Sequence, residues 1–277
     1  MRSVFPLDRA AEFSDIGELV SGCTESTLKR VGAKYRLWVT RESHTKISLY
    51  EADAVTGPYT LTGDLTVSGS PVTGAFHNVH LIGETYYIVY SSGWHIYAGT
   101  LDATGIEITL VNSGNPILDQ DTSISWESSG CLCNPALAYR DETWYLLYEC
   151  WGATGARNQL GLASGSSLTA LSRYVGNPVL TGGYHRIRCG NPEIAEQDDY
   201  FVIIFGVWQD DYAEDSHIIC LKTTDFVSFT DEKLLRRGLI GHNQCDPSIY
   251  EEGGDTYMTY YDNSPASVYL SRGRIDL

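Results

Sequence analysis

Long apolar segments are absent from this chain. No apolar run approaches the roughly 20 residues that a helix needs to cross a bilayer, and residues 1–13 lack the apolar core of a secretory signal peptide. No long amphipathic helical pattern and no low-complexity tract is present either. These absences predict no membrane partner, and they favour a protein kept in the cytoplasm or built into a virion.

Positive charge is also scarce. The chain has 19 Lys and Arg against 35 Asp and Glu, and its net charge at pH 7 is −16. Only five of the basic residues are Lys. Because an acidic surface repels the phosphates of nucleic acids and of anionic lipids, nucleic acid is excluded as a partner. The charge is typical of a soluble acidic protein or of one adapted to a saline medium.

The seven cysteines are an odd number, and their spacing matches no zinc motif. Without a sign of secretion, we expect mostly reduced, buried thiols. Four of them come one or two residues before the polar residue that opens a repeat, so we expect their sulfur atoms near the centre of the fold. These four are Cys23, Cys133, Cys189 and Cys245.

The chain does contain one pattern that recurs five times, at a spacing of about 55 residues. Each copy has a leading polar residue, an apolar pair, a turn and an aromatic-rich strand. Two strand-like runs around a turn predict a β-hairpin, and a hairpin must stack on others to bury a face. The copies are ESTLKRVGAKYRLWV from Glu25, HNVHLIGETYYIVY from His77, NPALAYRDETWYLLY from Asn134, NPEIAEQDDYFVIIF from Asn191 and DPSIYEEGGDTYMTYY from Asp246.

We therefore predict an all-β fold, a single five-bladed β-propeller of four-stranded antiparallel blades that uses residues 1–277 as one domain. The phrases GNPIL and GNPVL precede equivalent strands and support this register. The first twenty residues are expected to supply an outer strand that closes the ring. The predicted blades span approximately residues 20–65, 67–110, 115–170, 177–229 and 234–277.

The first strand of each propeller blade lines the central channel, so the leading polar residues are predicted to face one funnel. Carboxylates, amides and aromatic rings suit a sugar, because its hydroxyls take planar polar partners and its faces stack on rings. Asn or Asp before Pro can also simply cap a turn, and that reading stays open for three of the residues. The predicted substrate-binding residues are Asn78, Asn134, Asn191, His77, His185, Arg188, Trp151 and Trp208.

Metal chemistry is not expected. His77 and His80 lie on the same predicted inner strand, and we interpret both as structural residues rather than metal ligands. No cofactor is predicted, although a structural cation could occupy the axial channel.

The sequence resembles the five-bladed propeller glycosidases of glycoside hydrolase family 43 and its relatives, including the family 130 mannoside phosphorylases. The likeness to family 130 rests on NPIL, WE, NPAL and YLLY within residues 115–149. The likeness to family 43 rests on the GPYT turn within 55–60 and on DPSI and DTYMTYYD within 246–262. It covers all five blades through strand motifs, which mark a fold more strongly than an activity.

Family 43 implies three acids: a base Asp in blade one, a helper Asp in blade two and an acid Glu in blade three. By position, the base falls on Glu25 and the helper falls on Asn78, in HNVH. The acid falls at Cys133–Asn134, in CNPAL. Only the first of these positions therefore carries a carboxylate in this chain.

Other acids could carry glycoside hydrolysis, which needs a carboxylic acid and a carboxylate on either side of the scissile bond. Glu25 or Asp246 could act as the base, and Glu149 or Glu193 as the acid, with a pKa raised by burial and by like charge.

Two other functions remain open at the level of sequence. A phosphorylase would need a cationic phosphate pocket, for which His185, Arg186 and Arg188 are candidates. The third possibility is a catalytically silent propeller that binds glycans or a receptor, for example within a larger assembly such as a virion.

Overall fold

The five repeats fold into five β-sheets arranged around one axis. The computed structural model describes residues 13–41, 44–128, 130–152, 158–183, 186, 188–208, 216–239 and 241–275. These residues contain strands, turns and bends but no helix, and hence no helix that could cross a membrane. The predicted all-β, five-bladed propeller is confirmed.

Each blade is a sheet with one inner strand nearest the axis. Blade one consists of β2 (Cys23–Val31), β3 (Lys34–Arg41), β4 (Lys46–Ala52) and β5 (Thr60–Asp64). Blade two consists of β6 (Thr66–Val67), β7 (Ser70–Pro71), β8 (Ala75–Ile82), β9 (Thr85–Ser92), β10 (His95–Leu101) and β11 (Glu107–Leu110). Blade three consists of β12 (Gly130–Arg140), β13 (Thr143–Gly152), β14 (Gln159–Gly165) and β15 (Ser172–Arg173).

The last two blades complete the ring. Blade four consists of β16 (Arg188–Glu196), β17 (Phe201–Trp208), β18 (His217–Thr223) and β19 (Thr230–Arg237). Blade five consists of β20 (Gln244–Glu252), β21 (Asp255–Asn263), β22 (Ala266–Gly273) and the first strand of the chain, β1 (Phe13–Ser21). Because β1 pairs antiparallel with β22, the start of the chain closes the ring as expected.

Blade two departs from the four-stranded pattern. The strands β8 to β11 form the antiparallel blade, and the short β6 and β7 extend its outer edge. The β6 strand pairs with β11 in parallel, through Thr66 with Glu107 and Val67 with Ile108. The sequence did not indicate this addition, because segments of two residues carry no periodic signal.

The hydrophobic core lies between neighbouring blades and not on the axis. One apolar cluster joins Trp38 and Leu49 of blade one to Val79 and Ile88 of blade two, and another joins blades three and four. Alternate residues of a strand point to opposite faces, so each blade buries apolar side chains on both faces. The narrow edges that meet at the axis are left for polar side chains.

All five inner strands, β2, β8, β12, β16 and β20, carry a β-bulge at the same level. A bulge inserts unpaired residues into a strand and re-aims their side chains. Here it turns the leading polar residue of the repeat toward the axis. The bulges lie between Thr24 and Ser26, Ala75 and Asn78, Cys133 and Ala136, Gly190 and Glu193, and Cys245 and Ser248.

Candidate functional site

The bulges surround a small polar cavity on the axis, which we call the axial cavity. Its volume is about 20 Å³, enough for about one water molecule. The sequence placed these residues in one funnel, and the structure brings them together around this cavity. Besides Ser26 and three prolines, it is lined by Glu25, His77, Asn78, Asn134, Asn191 and Asp246.

In blade two, the residue at the bulge position differs from the one that the sequence predicted. Asn134, Asn191 and Asp246 have positive φ angles of 45°, 54° and 53°, and the corresponding residue of blade two is Phe76, with φ of 53°. The sequence had assigned this position to His77, one residue later. His77 still faces the axis from the place that Pro occupies in blades three to five.

The His77 imidazole is buried, which lowers its pKa to about 4, so the ring is neutral. Its Nδ1 lies 3.0 Å from Thr40 Oγ1, while its Nε2 has no hydrogen-bond partner. His80 is also buried, and its Nε2 accepts a hydrogen bond of 3.0 Å from the Leu137 amide. Among the described residues, no group of three His, Cys, Asp or Glu could hold a metal ion.

Glu25 is the blade-one member of the ring and is 5% exposed. Its Oε2 accepts a hydrogen bond of 2.8 Å from the Thr24 hydroxyl, and its Oε1 lies 3.2 Å from Nε2 of His44. Both carboxylate oxygens are therefore fixed in place. The side chain also lines the axial cavity.

Asp246 faces Glu25 from blade five. Burial, followed by the negative charge of Glu25, raises the pKa of Asp246 well above its usual range. Its Oδ1 accepts a hydrogen bond from the side-chain Nδ2 of Asn191, and its Oδ2 accepts one of 3.2 Å from the Cys245 thiol. A carboxyl group in such surroundings favours its protonated form.

Glu149 reaches the same ring from a second strand, β13, where it pairs with Cys133. Its Oε2 accepts hydrogen bonds of 2.7 Å from Asn134 Nδ2 and 2.9 Å from the Asn191 amide. Its Oε1 accepts one from Asn158. Burial raises the pKa of Glu149, and these donors oppose the rise. The resemblance assigned an acid to the position of Asn134. The structure places the carboxylate of Glu149 beside that residue.

Glu25, Glu149 and Asp246 mark one end of the axis, which we call the mouth. Glu193 lies farther along the axis, away from this end. Its carboxylate accepts a hydrogen bond from Asn78 Nδ2 and lies 3.5 Å from the Lys29 ammonium group. Burial raises the pKa of Glu193, and the charge of Lys29 lowers it. This pair forms the floor of a pocket of about 260 Å³ at the far end of the axis, with His80 and Ile249 in its walls. We call it the lower pocket.

A larger cleft opens beside Glu25 at the mouth, between blades one, two and three. Its volume is about 370 Å³, and we call it the mouth cleft. Trp94, 59% exposed, and Phe76 contribute aromatic surface. His44 lines the cleft on the side of Glu25. The remaining lining is small or apolar, and it includes Cys131 and Cys133.

Three other residues predicted to bind substrate, Arg188, Trp151 and Trp208, lie around this end. Arg188 is 9% exposed and donates a hydrogen bond of 2.8 Å to Asn158 Oδ1. Trp151 is 52% exposed, whereas Trp208 is 5% exposed and donates its indole N–H to Asn243 Oδ1 at 2.9 Å. His185 lies outside the described residues. Binding roles for all four stay predictions.

The four thiols expected near the centre divide into two pairs. Cys133 and Cys245 adjoin the axial residues Asn134 and Asp246. Cys23 and Cys189 sit one position earlier in their blades and pack into apolar clusters between blades. Because neighbouring strand residues face opposite ways, the expectation is wrong for this second pair. All four are buried, and none forms a disulfide.

Three residues of the site were not predicted from the sequence. His44 stands in the connection between β3 and β4, Phe76 precedes the repeat as it was read, and Asn158 lies in the segment before β14. None of them belongs to a repeated motif. A comparison of the five bulges could have identified Phe76, since it immediately follows a small residue as Asn191 does.

Comparison with known proteins supports the architecture. No family model matches the chain, and no curated protein matches its sequence. A solved structure described as a glycoside hydrolase is similar over 95% of this chain and 92% of its own, with a TM-score of 0.73 and 13% identity. A thermostable family-43 glycoside hydrolase is similar over 92% of this chain and 91% of its own, with a TM-score of 0.67 and 13% identity.

A third similar structure is the α-L-arabinanase of Cellvibrio cellulosa in complex with arabinohexaose. It covers 94% of this chain and 92% of its own, with a TM-score of 0.63 and 12% identity. Identities this low show a shared fold and do not transfer an activity. The chain has the five-bladed propeller fold of the family-43 glycoside hydrolases.

Proposed function

We propose that the protein is a glycoside hydrolase that cleaves a short, neutral oligosaccharide at the mouth of the propeller. One observation carries this proposal: Glu25, Glu149 and Asp246 converge on one end of the axis beside a cleft with aromatic walls. Glycoside hydrolysis requires two such carboxyl groups with different protonation states.

The surroundings of the carboxyl groups assign different roles to them. Glu25 has a hydroxyl and an imidazole as partners, and it acts as the base. Asp246 is buried between other acids, which raises its pKa, and it acts as the proton donor. Glu149 accepts three hydrogen bonds, which oppose the rise of its pKa, and the pKa of Asp246 is raised well above its usual range; Glu149 therefore orients Asn134 and Asn191 instead of transferring a proton.

The mouth cleft supports a neutral sugar. A volume of about 370 Å³ lies at the lower end of the range for small-molecule sites, about 300–1,000 Å³. Trp94 and Phe76 offer flat apolar surfaces of the kind on which sugar rings stack. The acidic surroundings disfavour anionic sugars, because like charges repel. The arabinohexaose complex of a structure with this fold is consistent with carbohydrate as the ligand.

Turnover by active-site variants tests this proposal. Wild type, Glu25→Gln and Asp246→Asn are screened on aryl glycosides and natural oligosaccharides, with circular dichroism as the check on folding. Each substitution should lower kcat by about 10²–10⁴-fold, the usual contribution of a positioned acid or base. Asp53→Asn is the matched control, because Asp53 is an exposed carboxylate paired with Lys34 far from the cleft, and it should retain full activity.

A silent glycan-binding module is the second candidate, and two observations favour it. The axial cavity holds only about 20 Å³, and two of the three positions implied by the resemblance are Asn78 and Asn134. Calorimetry with the same oligosaccharides separates the candidates. Binding without hydrolysis by wild type would establish the module and overturn the hydrolase.

A further inference from the structure

Phe76 is an exception within the ring of bulges. At this position blades three to five have Asn134, Asn191 and Asp246, which are small polar residues that tolerate a positive φ. A bulky aromatic residue with φ of 53° is disfavoured, and such strain persists only where the surrounding structure holds it. The Phe76 ring does have such a partner, since it stacks on the imidazole of His44 with centroids 5.1 Å apart and an interplanar angle of 23°.

His44 in turn contacts the candidate base. Its Nε2 lies 3.2 Å from Oε1 of Glu25, and the Thr24 hydroxyl donates to Oε2 on the other side. The His44 side chain is 43% exposed and lines the mouth cleft. A continuous row therefore runs from the strained Phe76 through the His44 imidazole, both of which line the mouth cleft, to the carboxylate of Glu25 in the axial cavity.

We infer that His44 is a positioning residue for Glu25: it orients the base, supplies a titratable positive charge beside it, and is itself held by Phe76. This inference deepens the proposed function and rests on it for the catalytic role of Glu25. No other described histidine contacts a carboxylate that lines the axial cavity or the mouth cleft.

The hydrogen bond to Glu25 is the main cause that raises the pKa of His44, and burial opposes it. Besides Glu25, the titratable groups that line the same cleft or flank the carboxylate are the thiols of Cys131 and Cys133, the neutral imidazole of His77 and Asp246. The Cys133 thiol has its pKa raised well above its usual range by burial, so it carries no charge near neutral pH.

The consequence for turnover follows from this charge. Below its raised pKa, the His44 imidazolium places a positive charge 3.2 Å from Oε1 of Glu25, and only an ionised carboxylate can accept a proton. Replacing His44 by Gln keeps a hydrogen-bond donor but removes the charge. The acidic limb of the pH profile should then move to higher pH while the maximal rate is largely retained.

The contact itself can be tested without any turnover. NMR titration of the imidazole signals of the seven histidines identifies His44 as the signal missing in His44→Gln. The pKa of His44 should fall in Glu25→Gln, because the carboxylate that raises it is gone. Asp119→Asn is the matched control, since it removes the carboxylate 2.8 Å from His95, and it should leave the His44 titration unchanged. A His44 titration that is unaffected by Glu25→Gln would overturn the inference.

Kinetics then test the positioning role. In His44→Gln, the acidic limb of kcat/KM should shift upward with a plateau within a few-fold of wild type. His44→Ala also removes the hydrogen bond and should lower the plateau by up to about tenfold. His95→Gln should change neither. An unshifted limb in His44→Gln, with an active wild type, would overturn the positioning role alone. A wild type without glycosidase activity would overturn the proposed function, and the titration would then decide by itself whether His44 holds Glu25.

Discussion

The buried carboxylates at the two ends of the propeller axis have different partners. At the lower end, Glu193 is paired with the ammonium group of Lys29 and accepts a hydrogen bond from Asn78. At the mouth, Glu149 and Asp246 are held by amide donors, and the negative charge of Glu25 raises the pKa of Asp246 further. At the lower end a cation compensates the charge of Glu193, whereas at the mouth several acids lie close together.

Under the proposed function, the lower end is structural and the mouth is functional. In a buried ion pair the two charges compensate each other, so a structural role is enough to explain it. A cluster in which the charges of neighbouring acids raise the pKa of a carboxyl group, together with positive-φ residues, lowers stability, and such features concentrate where proteins do chemistry. The comparison therefore predicts that changes at the lower end affect folding, whereas changes at the mouth affect turnover.

The largest effect on stability is expected from Lys29→Met. It leaves Glu193 buried without its cation, which should lower the free energy of unfolding by about 3 kcal/mol, the lower limit for breaking a buried pair, because Lys29 retains some solvent contact. Burial already raises the pKa of Glu193. The loss should therefore be small below the usual carboxyl pKa, about 4.3, and grow as the pH rises and Glu193 ionises.

Urea unfolding at several pH values measures this loss. Lys34→Met is the matched control, because Lys34 forms an exposed pair with Asp53, and exposed pairs contribute at most about 1 kcal/mol. Equal losses in the two variants would contradict the structural role of the lower end. The folded fraction of Lys29→Met should retain turnover.

Gly190→Ala is the next change in expected magnitude, and it acts at the mouth. A Cβ at this position would clash with Oε2 of Glu149, so the carboxylate would have to move away from Asn134 and Asn191. We expect a loss of about 1–3 kcal/mol, typical of overpacking, together with reduced turnover.

Making the same Gly190→Ala substitution in a Glu149→Ala variant provides the control for this prediction. In Glu149→Ala the clash is absent, so adding Gly190→Ala should cost much less than it does in wild type. A thermodynamic cycle of the four proteins measures the coupling. The same cost in both backgrounds would mean that Glu149 does not pack against Gly190.

How far the sequence could predict these features depends on the kind of signal. Hairpins repeated at a constant interval predicted the fold, the number of blades and the closing strand β1, because alternation and turn residues act locally. The extra strands β6 and β7 were not predicted, since each is only two residues long.

The site was predicted less completely, for geometric reasons. Leading polar residues identified Glu25, Asn134, Asn191 and Asp246 as axial because they begin each repeat. A bulge shifts the register by one residue without changing the apolar pattern. The ring position that Phe76 occupies was therefore assigned to His77. His44 comes from a loop, and its contact with Glu25 depends on the path of the loop rather than on any periodicity.

The smallest predicted effect is a gain in stability. The pKa of Asp246 is raised in the folded state, so the stability linked to its proton is present below the unfolded pKa and is lost as the pH rises through the folded value. Asp246→Asn cannot ionise and should be more stable than wild type above neutral pH, by about 1 kcal/mol or about 2–4 °C in Tm. Thermal scans across pH measure this, with Asp53→Asn as the control. A wild type that gains stability with rising pH relative to Asp246→Asn would contradict the raised pKa.

The most direct measurement is a crystal structure of Glu25→Gln with an oligosaccharide that the wild type turns over. We predict a sugar ring in the mouth cleft, against Trp94 and Phe76, with its scissile oxygen near Asp246 and its anomeric carbon facing residue 25. A sugar bound instead in the lower pocket beside Lys29 and Glu193 would contradict the assignment of the mouth as the functional end.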